Sequence, residues 1–583
     1  MSHTQIHAPG AMSGKPVLSQ LIPPQTLSPQ DMAALLKVAH EKIKLNELDV
    51  ALNILAKAVE FDPTNPTIKS LQASAHLARS DYGNAMAALL EILALNPNDA
   101  KAYYNLGSVA KNSGDRAAAK DFFKKAADCD EEYIFAAVSL MFESLLDADW
   151  DRWETLPKLR HMLNQHVANL APGPIMSFYD DPQLQFEKSI IYSGTRFGIK
   201  EPPRPAPRKR AAGDKIRIGY FSSDVYAHAT MWLMVRMFEL HDRDKFEIYL
   251  YDYSNVSDEM SQRVSASVDH HHRVKKLSDN EIFALARSDA IDIAVDLKGF
   301  TAGGRYGLVA SRPAPVTISY LGFPGTLGLK AVDYIVADKV MIPQELRRYY
   351  AENILYMPEC YQVTDDQREI ASTVPTRTEL GLPEDALVLC CFNGTYKITP
   401  AEFDIWMRVM AKVPHSVLWH WATEEKAMEN LCNEAEKRGI SRDRLIFCSS
   451  ISQPEHLARL ARADLFLDTF NICAHTTASD ALWAGLPIVT FQGKQFAARV
   501  ASSILNAFEM PELITYSAEE YEARILALAE NPTELRRLRE KVAEKRKSAP
   551  LFDTARFTRN WERMLEKALS NIETGHAPRD LHL

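Results

Sequence analysis

A short apolar run, Leu465 to Leu467, is followed within ten residues by His475-Thr476-Thr477, which open a stretch that reads as helix through Trp483-Ala484-Gly485. Where a buried strand hands over to a helix, the first amide N–H groups have no partner inside the helix and stand at the positive end of its dipole. Such a junction accepts an anion, phosphate above all. Thr477 and Asp480 also have the spacing of a Ser/Thr-x-x-Asp/Glu capping pair. Lys397 holds a comparable place, after the apolar run Leu387 to Phe392 and before a helix opening at Thr399-Pro400. His456 and Arg459 are three apart on one predicted helix face, which brings their side chains together. His228 follows the run Ile216 to Phe221, and an ordinary pKa near ~6.5 suits a histidine to take a hydroxyl proton near neutrality. The same residue could instead only position a substrate.

These residues need a scaffold, and the hydrophobic pattern supplies one. From Lys215 onward, strand-like runs alternate with helical stretches: Ile216 to Phe221, Phe246 to Tyr251, Ile291 to Leu297, Val316 to Tyr320 and Tyr334 to Ala337 form one set. Leu387 to Phe392, Val417 to Trp419, Leu445 to Phe447, Leu465 to Leu467 and Pro487 to Val489 form a second. Runs without polar alternation suit parallel strands covered on both faces, so two successive Rossmann-like units with a cleft between them are expected. A last helix, Asp553 to Asn571, places Phe557, Trp561, Met564, Leu565 and Ala568 on one face and is expected to pack back onto the lobes.

The first part of the chain repeats. Pro63, Pro97 and Glu131 recur at a constant interval, as do Ala51, Ala85 and Ala119, and Leu55, Leu89 and Phe123. That interval is the ~34-residue tetratricopeptide period, in which stacked helix pairs bury a shared core and commonly bind a protein segment. The expected division is a disordered tail at 1–29, three repeats at 30–135, a helical cap and connector at 136–200, and a Pro/Arg-rich linker at 201–214. An N-terminal catalytic lobe at 215–370, a C-terminal lobe at 371–548, and a C-terminal helix and tail at 549–583 complete it.

A formal charge of -9 gives no sign of nucleic-acid binding, and no apolar run is long enough to span a membrane. Seven cysteines without a C-x-x-C pair read as reduced thiols of a cytoplasmic protein. His270-His271-His272 does not read as a metal site, because adjacent side chains diverge and no further ligand is spaced around them.

The motif His475-Thr476-Thr477-x-x-Asp480-x-x-Trp483-Ala484-Gly485 resembles the nucleotide-site signature of the protein O-GlcNAc transferase and SPINDLY family. Further matches fall in the same order: Ser222-Ser223-Asp224 with His228, Leu321-Gly322-Phe323-Pro324-Gly325-Thr326, Phe392-Asn393 with Tyr396-Lys397, and His456 with Arg459. The resemblance spans roughly residues 215 to 565. It implies a GT-B glycosyltransferase in which 371–548 binds the nucleotide-sugar. Lys397 would then contact the diphosphate, with Thr476 and Thr477 on its other side; Asp480 would accept from the ribose, and His456 and Arg459 would lie beside the base and phosphates. His228 would line the sugar and acceptor site, and Gly322, Pro324, Gly325 and Thr326 would form a loop between strand and helix, close to the sugar. Asp292 stands where some relatives have a second histidine.

The expected function is metal-independent, inverting transfer of GlcNAc, or a related sugar, from a UDP-sugar to Ser/Thr of a protein recruited by the repeats, with no cofactor beyond that donor. Gly394, Gln453 and Cys473 depart from the family's usual Gln or Asn, Lys, and Asn. They leave open GDP-fucose or a CMP-nonulosonic acid, the latter for flagellin or another surface protein. An inactive scaffold that binds proteins through its repeats is the reading from outside enzymology.

Overall fold

The computed structural model describes residues 28–45, 47–198 and 201–583. The expected disordered tail lies outside these residues except for its last two, which start a helix. Ser28 caps α1 (Pro29–Lys44) by accepting from the Asp31 amide, and Asp31 returns the bond. Then come α2 (Leu48–Phe61), α3 (Pro66–Ala78), α4 (Tyr82–Leu95), α5 (Ala100–Asn112), α6 (Arg116–Cys129) and α7 (Ile134–Leu146). The starts Leu48, Tyr82 and Arg116 are 34 residues apart, and so are Pro66, Ala100 and Ile134. The register therefore runs one helix beyond the third repeat. Asn65 and Asp99, just past the repeat prolines, cap α3 and α5 with their side chains. The repeat positions Ala51, Leu55, Ala85, Leu89, Ala119 and Phe123 are all buried.

The chain divides into two compact units, Met1–Asp115 and Arg116–Leu583. The described part of the first holds α1 to α5, with Ala39, Ile54, Leu55, Ala58 and Ile68 as one core. In the second, Arg116 and Lys120 of α6 pair with Asp147, just past α7; Arg116 also pairs with Glu143 on α7 and Lys120 with Asp149. After α8 (Leu156–Gln165), α9 (Pro172–Phe178) and α10 (Pro182–Phe197) touch both lobes. Gln185 donates to the Pro324 carbonyl at 3.3 Å, while Asp180 accepts from the Lys494 and Gln495 amides. The connector is thus part of the same unit as the two lobes.

The first lobe is an eight-stranded sheet in the order β14-β7-β6-β5-β4-β1-β2-β3. Its strands are β1 (Ile216–Ser222), β2 (Phe246–Asp252), β3 (His270–Arg273), β4 (Ile293–Asp296), β5 (Val316–Ser319), β6 (Tyr334–Ala337), β7 (Asn353–Tyr356) and β14 (Leu581–His582). The second is six-stranded, β10-β9-β8-β11-β12-β13. It contains β8 (Leu387–Cys391), β9 (Ser416–Trp421), β10 (Leu445–Cys448), β11 (Leu465–Leu467), β12 (Ile488–Phe491) and β13 (Ile514–Thr515). Neighbouring strands pair in parallel in both sheets, as expected of two Rossmann-like lobes. The histidines of β3 lie beside carboxylates: His270 by Glu247, His271 by Asp252 and His272 by Asp289.

The closing helix, Thr554–Glu573, returns to the first lobe. Trp561, Met564, Leu565 and Ala568 are fully buried, and Phe557 partly. The Trp561 ring stacks on Tyr320 at 5.0 Å and its N–H donates to the Tyr220 hydroxyl at 3.0 Å. Removing this ring should leave a cavity at the seam, so Trp561→Ala is expected to lower unfolding free energy by about 3–5 kcal/mol. Chemical denaturation checks it; a loss below about 1 kcal/mol would show that the helix does not lock the lobe.

Candidate active site

A cavity of about 410 Å³ opens at the C-terminal ends of both sheets. Of the expected residues, His228, Gly322, Pro324, Lys397, His475, Thr476 and Thr477 line it. In such sheets, ligands sit outside the carboxyl ends of the strands.

Lys397 ends a single turn, Thr395–Lys397, between β8 and the helix Pro400–Lys412. Its ammonium donates to the Cys473 carbonyl at 3.1 Å. Among the described residues lining the cavity it is the one lysine or arginine. The nearby histidines add no charge: burial and the neighbouring Lys397 hold His475 down at about 3, and burial lowers His228. His475 donates from Nε2 to the Ala497 carbonyl at 3.0 Å and occupies the cap position of the helix Thr476–Trp483.

The capping pair expected at Thr477 and Asp480 does not form. The helix starts two residues earlier, with His475 at its cap, so Thr477 lies inside its first turn, where its hydroxyl donates to Asn393 Oδ1 at 2.7 Å. Buried Asn393 donates in turn to Asp468 (3.1 Å) and Thr469 (2.8 Å). Asp468 also receives the Ala474 amide at 2.7 Å and the Thr490 hydroxyl at 2.6 Å. This network ties the end of β8 to the loop after β11 and fixes where the helix N-terminus points. Asn393 and Asp468 were not among the expected site residues; Asn393 was visible only as part of the Phe392-Asn393 match.

His456 and Arg459 do meet. Arg459 Nε donates to His456 Nδ1 at 3.1 Å, and burial takes that imidazole down to about 4, leaving it a neutral acceptor. Both pack on Phe392 beside the cavity without lining it. Asp480 is also outside the lining and is held by the Arg368 guanidinium. The loop from Gly322 to Thr326 joins β5 to β6 with no intervening helix, and its members face different ways. A side chain at Gly322 would collide with the Leu297 carbonyl, so this glycine serves close approach to the end of β4. Next to it, Leu321 holds a φ of +61° on the cavity wall. Gly325 abuts Gln185 of α10, and Thr326 donates to buried Glu352 at 2.6 Å. These last two support the loop from behind.

His228 caps α11 (Ala229–Leu240): its Nδ1 accepts from the Thr230 amide at 3.2 Å. In the neutral ring the proton is then on Nε2, so the free edge of the imidazole offers a donor. Behind it lies a buried pair, Lys298 gripping both oxygens of Asp224 at 2.8 and 2.7 Å, with Asp224 3.5 Å from His228 Nδ1. Asp292 is at the other end of the sheet, accepting from the Arg217 amide and Arg208.

Asp296, at the end of β4, is buried, and desolvation pushes it up to about 6 despite amide donation from Lys298 and Gly299. The folded form holds this proton up to about pH 6, while the unfolded chain releases it near ~3.9. Its stabilising contribution is therefore present below about pH 4 and lost as pH rises through about 6. The advantage of the wild type over Asp296→Asn should shrink by roughly 2 kcal/mol between pH 4.5 and 7 in urea unfolding. A gap that stays constant or widens would refute the assignment.

Two parallel-sheet lobes with a cavity at their carboxyl ends have the GT-B architecture. Within it, residues 197–373 and 366–561 match the profile of glycosyl transferase family 41, and residues 100–133 match a tetratricopeptide repeat. The chain belongs to glycosyl transferase family 41. It is 34% identical over 437 residues to the probable UDP-N-acetylglucosamine–peptide N-acetylglucosaminyltransferase SEC of Arabidopsis thaliana, covering 72% of this chain and 45% of the relative. It is 26% identical to the Caenorhabditis elegans UDP-N-acetylglucosamine–peptide N-acetylglucosaminyltransferase, over 62% of this chain and 41% of that protein. The chain thus spans less than half the length of these relatives. A mutant of the Thermobaculum terrenum O-GlcNAc transferase superposes with a TM-score of 0.65 at 27% identity, covering 94% of this chain and all of the other. Among the described residues no helix is long and apolar enough to cross a membrane.

Proposed function

We propose that this chain transfers GlcNAc from UDP-GlcNAc to Ser/Thr hydroxyls of a protein acceptor, with inversion and without a metal. The observation that carries the reading is the pairing of one fixed cation, Lys397, with the N-terminus of the helix Thr476–Trp483 in a single cavity. A nucleoside diphosphate leaves as an anion, and a fixed ammonium facing free amide N–H groups stabilises the charge as it develops. His456 and Arg459 would flank the base, and Asp480 would accept from the ribose. With its proton on Nε2, His228 would orient the sugar or the acceptor as a donor; in this tautomer its free edge is not a base. The donor is taken from the relatives, which carry UDP-N-acetylglucosamine in their names. The repeats would bring the protein acceptor, in a cytoplasmic setting.

Thermal unfolding with UDP, GDP and CMP, each beside its nucleotide-sugars, tests the donor. A ligand present at 100 times its dissociation constant adds ~2.7 kcal/mol to the native state. A shift with UDP and UDP-GlcNAc is expected. A shift with GDP or CMP alone would replace the donor by a fucosyl or nonulosonic one, and none at all would favour the scaffold.

A further inference from the structure

We propose that Arg368 is a positioning residue for the donor: it fixes Asp480 so that one carboxylate oxygen is presented to the ribose hydroxyls. This rests on the reading above, in which Asp480 receives the ribose. Arg368 lies on the segment that leads from β7 of the first lobe to β8 of the second, and is 6% exposed. Its Nη1 donates to Asp480 Oδ1 and its Nη2 to the Ser479 carbonyl at 3.3 Å. Its own carbonyl accepts from the Trp483 indole N–H at 3.2 Å, and its guanidinium lies 5.4 Å from the centre of that ring. One arginine therefore grips a full turn of the helix whose N-terminus faces the cavity. Gln362, which lines the cavity, reaches the same turn through the Ser479 hydroxyl at 3.4 Å.

Asp480 is 4% exposed, and a carboxylate that deep is costly unless paired. Arginine supplies a permanent charge in a planar fork that sets the carboxylate's rotation. Because Oδ1 carries the guanidinium, Oδ2 is the oxygen left for hydroxyl donors among the described hydrogen bonds. A hydroxyl bonded to a charged acceptor is held more strongly than one bonded to a neutral acceptor. Without the arginine the carboxylate would be free to rotate, and selectivity for a ribose would go with it.

Calorimetric binding of UDP, 2′-deoxy-UDP and 3′-deoxy-UDP to the full chain tests this in the wild type, Arg368→Gln, Arg368→Lys and Asp480→Asn. Wild type should prefer UDP over at least one deoxy analogue. Arg368→Gln should weaken UDP about 10-fold or more while the disfavoured analogue changes less, so that the ratio falls toward one as in Asp480→Asn. Arg368→Lys should recover part of the ratio, and it carries the test if the glutamine variant does not fold. An unchanged ratio, whether all three ligands weaken equally or none does, would overturn the proposal and leave Arg368 a structural role at most. If wild-type protein binds no UDP, the donor assignment itself fails and the proposal with it, a result seen before any variant is made.

Discussion

Lys397→Met should reduce sugar transfer about 10²- to 10³-fold, the usual cost of removing one preorganised group that stabilises charge in the transition state. Methionine keeps the apolar stem and removes the ammonium. Because His228 and His475 are kept neutral by burial, no other described lining side chain can supply the lost charge. The loss should appear mainly in kcat, since charge on the leaving diphosphate grows as the glycosidic bond breaks. Folding should be little affected, because the ammonium's one hydrogen bond among the described residues is to the Cys473 carbonyl. A variant with kcat unchanged and only KM raised would mean that Lys397 binds the donor without assisting departure.

Deleting residues 1–115 should separate catalysis from recruitment. The cut falls between the two compact units and spares Arg116, whose pairing with buried Glu143 stabilises α7. α7 matters because Phe142 packs against Tyr396, 5.9 Å between rings, beside Lys397. A cut at 135 would remove α6, and with it Arg116 and Lys120, the partners of Glu143, Asp147 and Asp149. The shortened chain should still release UDP from the donor, while modification of the native protein acceptor falls about 10²-fold or more with the loss of effective concentration. Equal rates on that acceptor before and after deletion would show that the repeats do not read the substrate.

Much of this architecture was legible in the sequence because apolar periodicity encodes burial. All ten runs read as strands form strands. Three of the four strands not foreseen have little apolar signal: β3 is His-His-His-Arg at a sheet edge, and β13 and β14 have two residues each, whereas β7, with Ile354, Leu355 and Tyr356 buried, carried the same signal as the foreseen strands. The repeats were legible through their spacing, although the continuation into α7 was not, since Glu131 replaces the proline that marks the earlier units. Within the site, positions at strand–helix junctions were legible because helix ends dictate them. What side chains do after closure was not. Thr477 had the spacing of a cap and instead bonds Asn393, 84 residues away, and Arg368 meets Asp480 across 112 residues. Gly325 and Thr326 share a motif with Gly322, yet α10 and Glu352 turn them away from the cavity. No local pattern carries such pairings.

The most direct test of the central claim is transfer of label from UDP-GlcNAc, radiolabelled in the sugar, to protein in an extract of the expressing cells. The account predicts protein-bound label, released by alkaline β-elimination, with the wild type and almost none with Lys397→Met. Incorporation from GDP-fucose or a CMP-sugar in place of UDP-GlcNAc, or label equally incorporated by the variant, would contradict it.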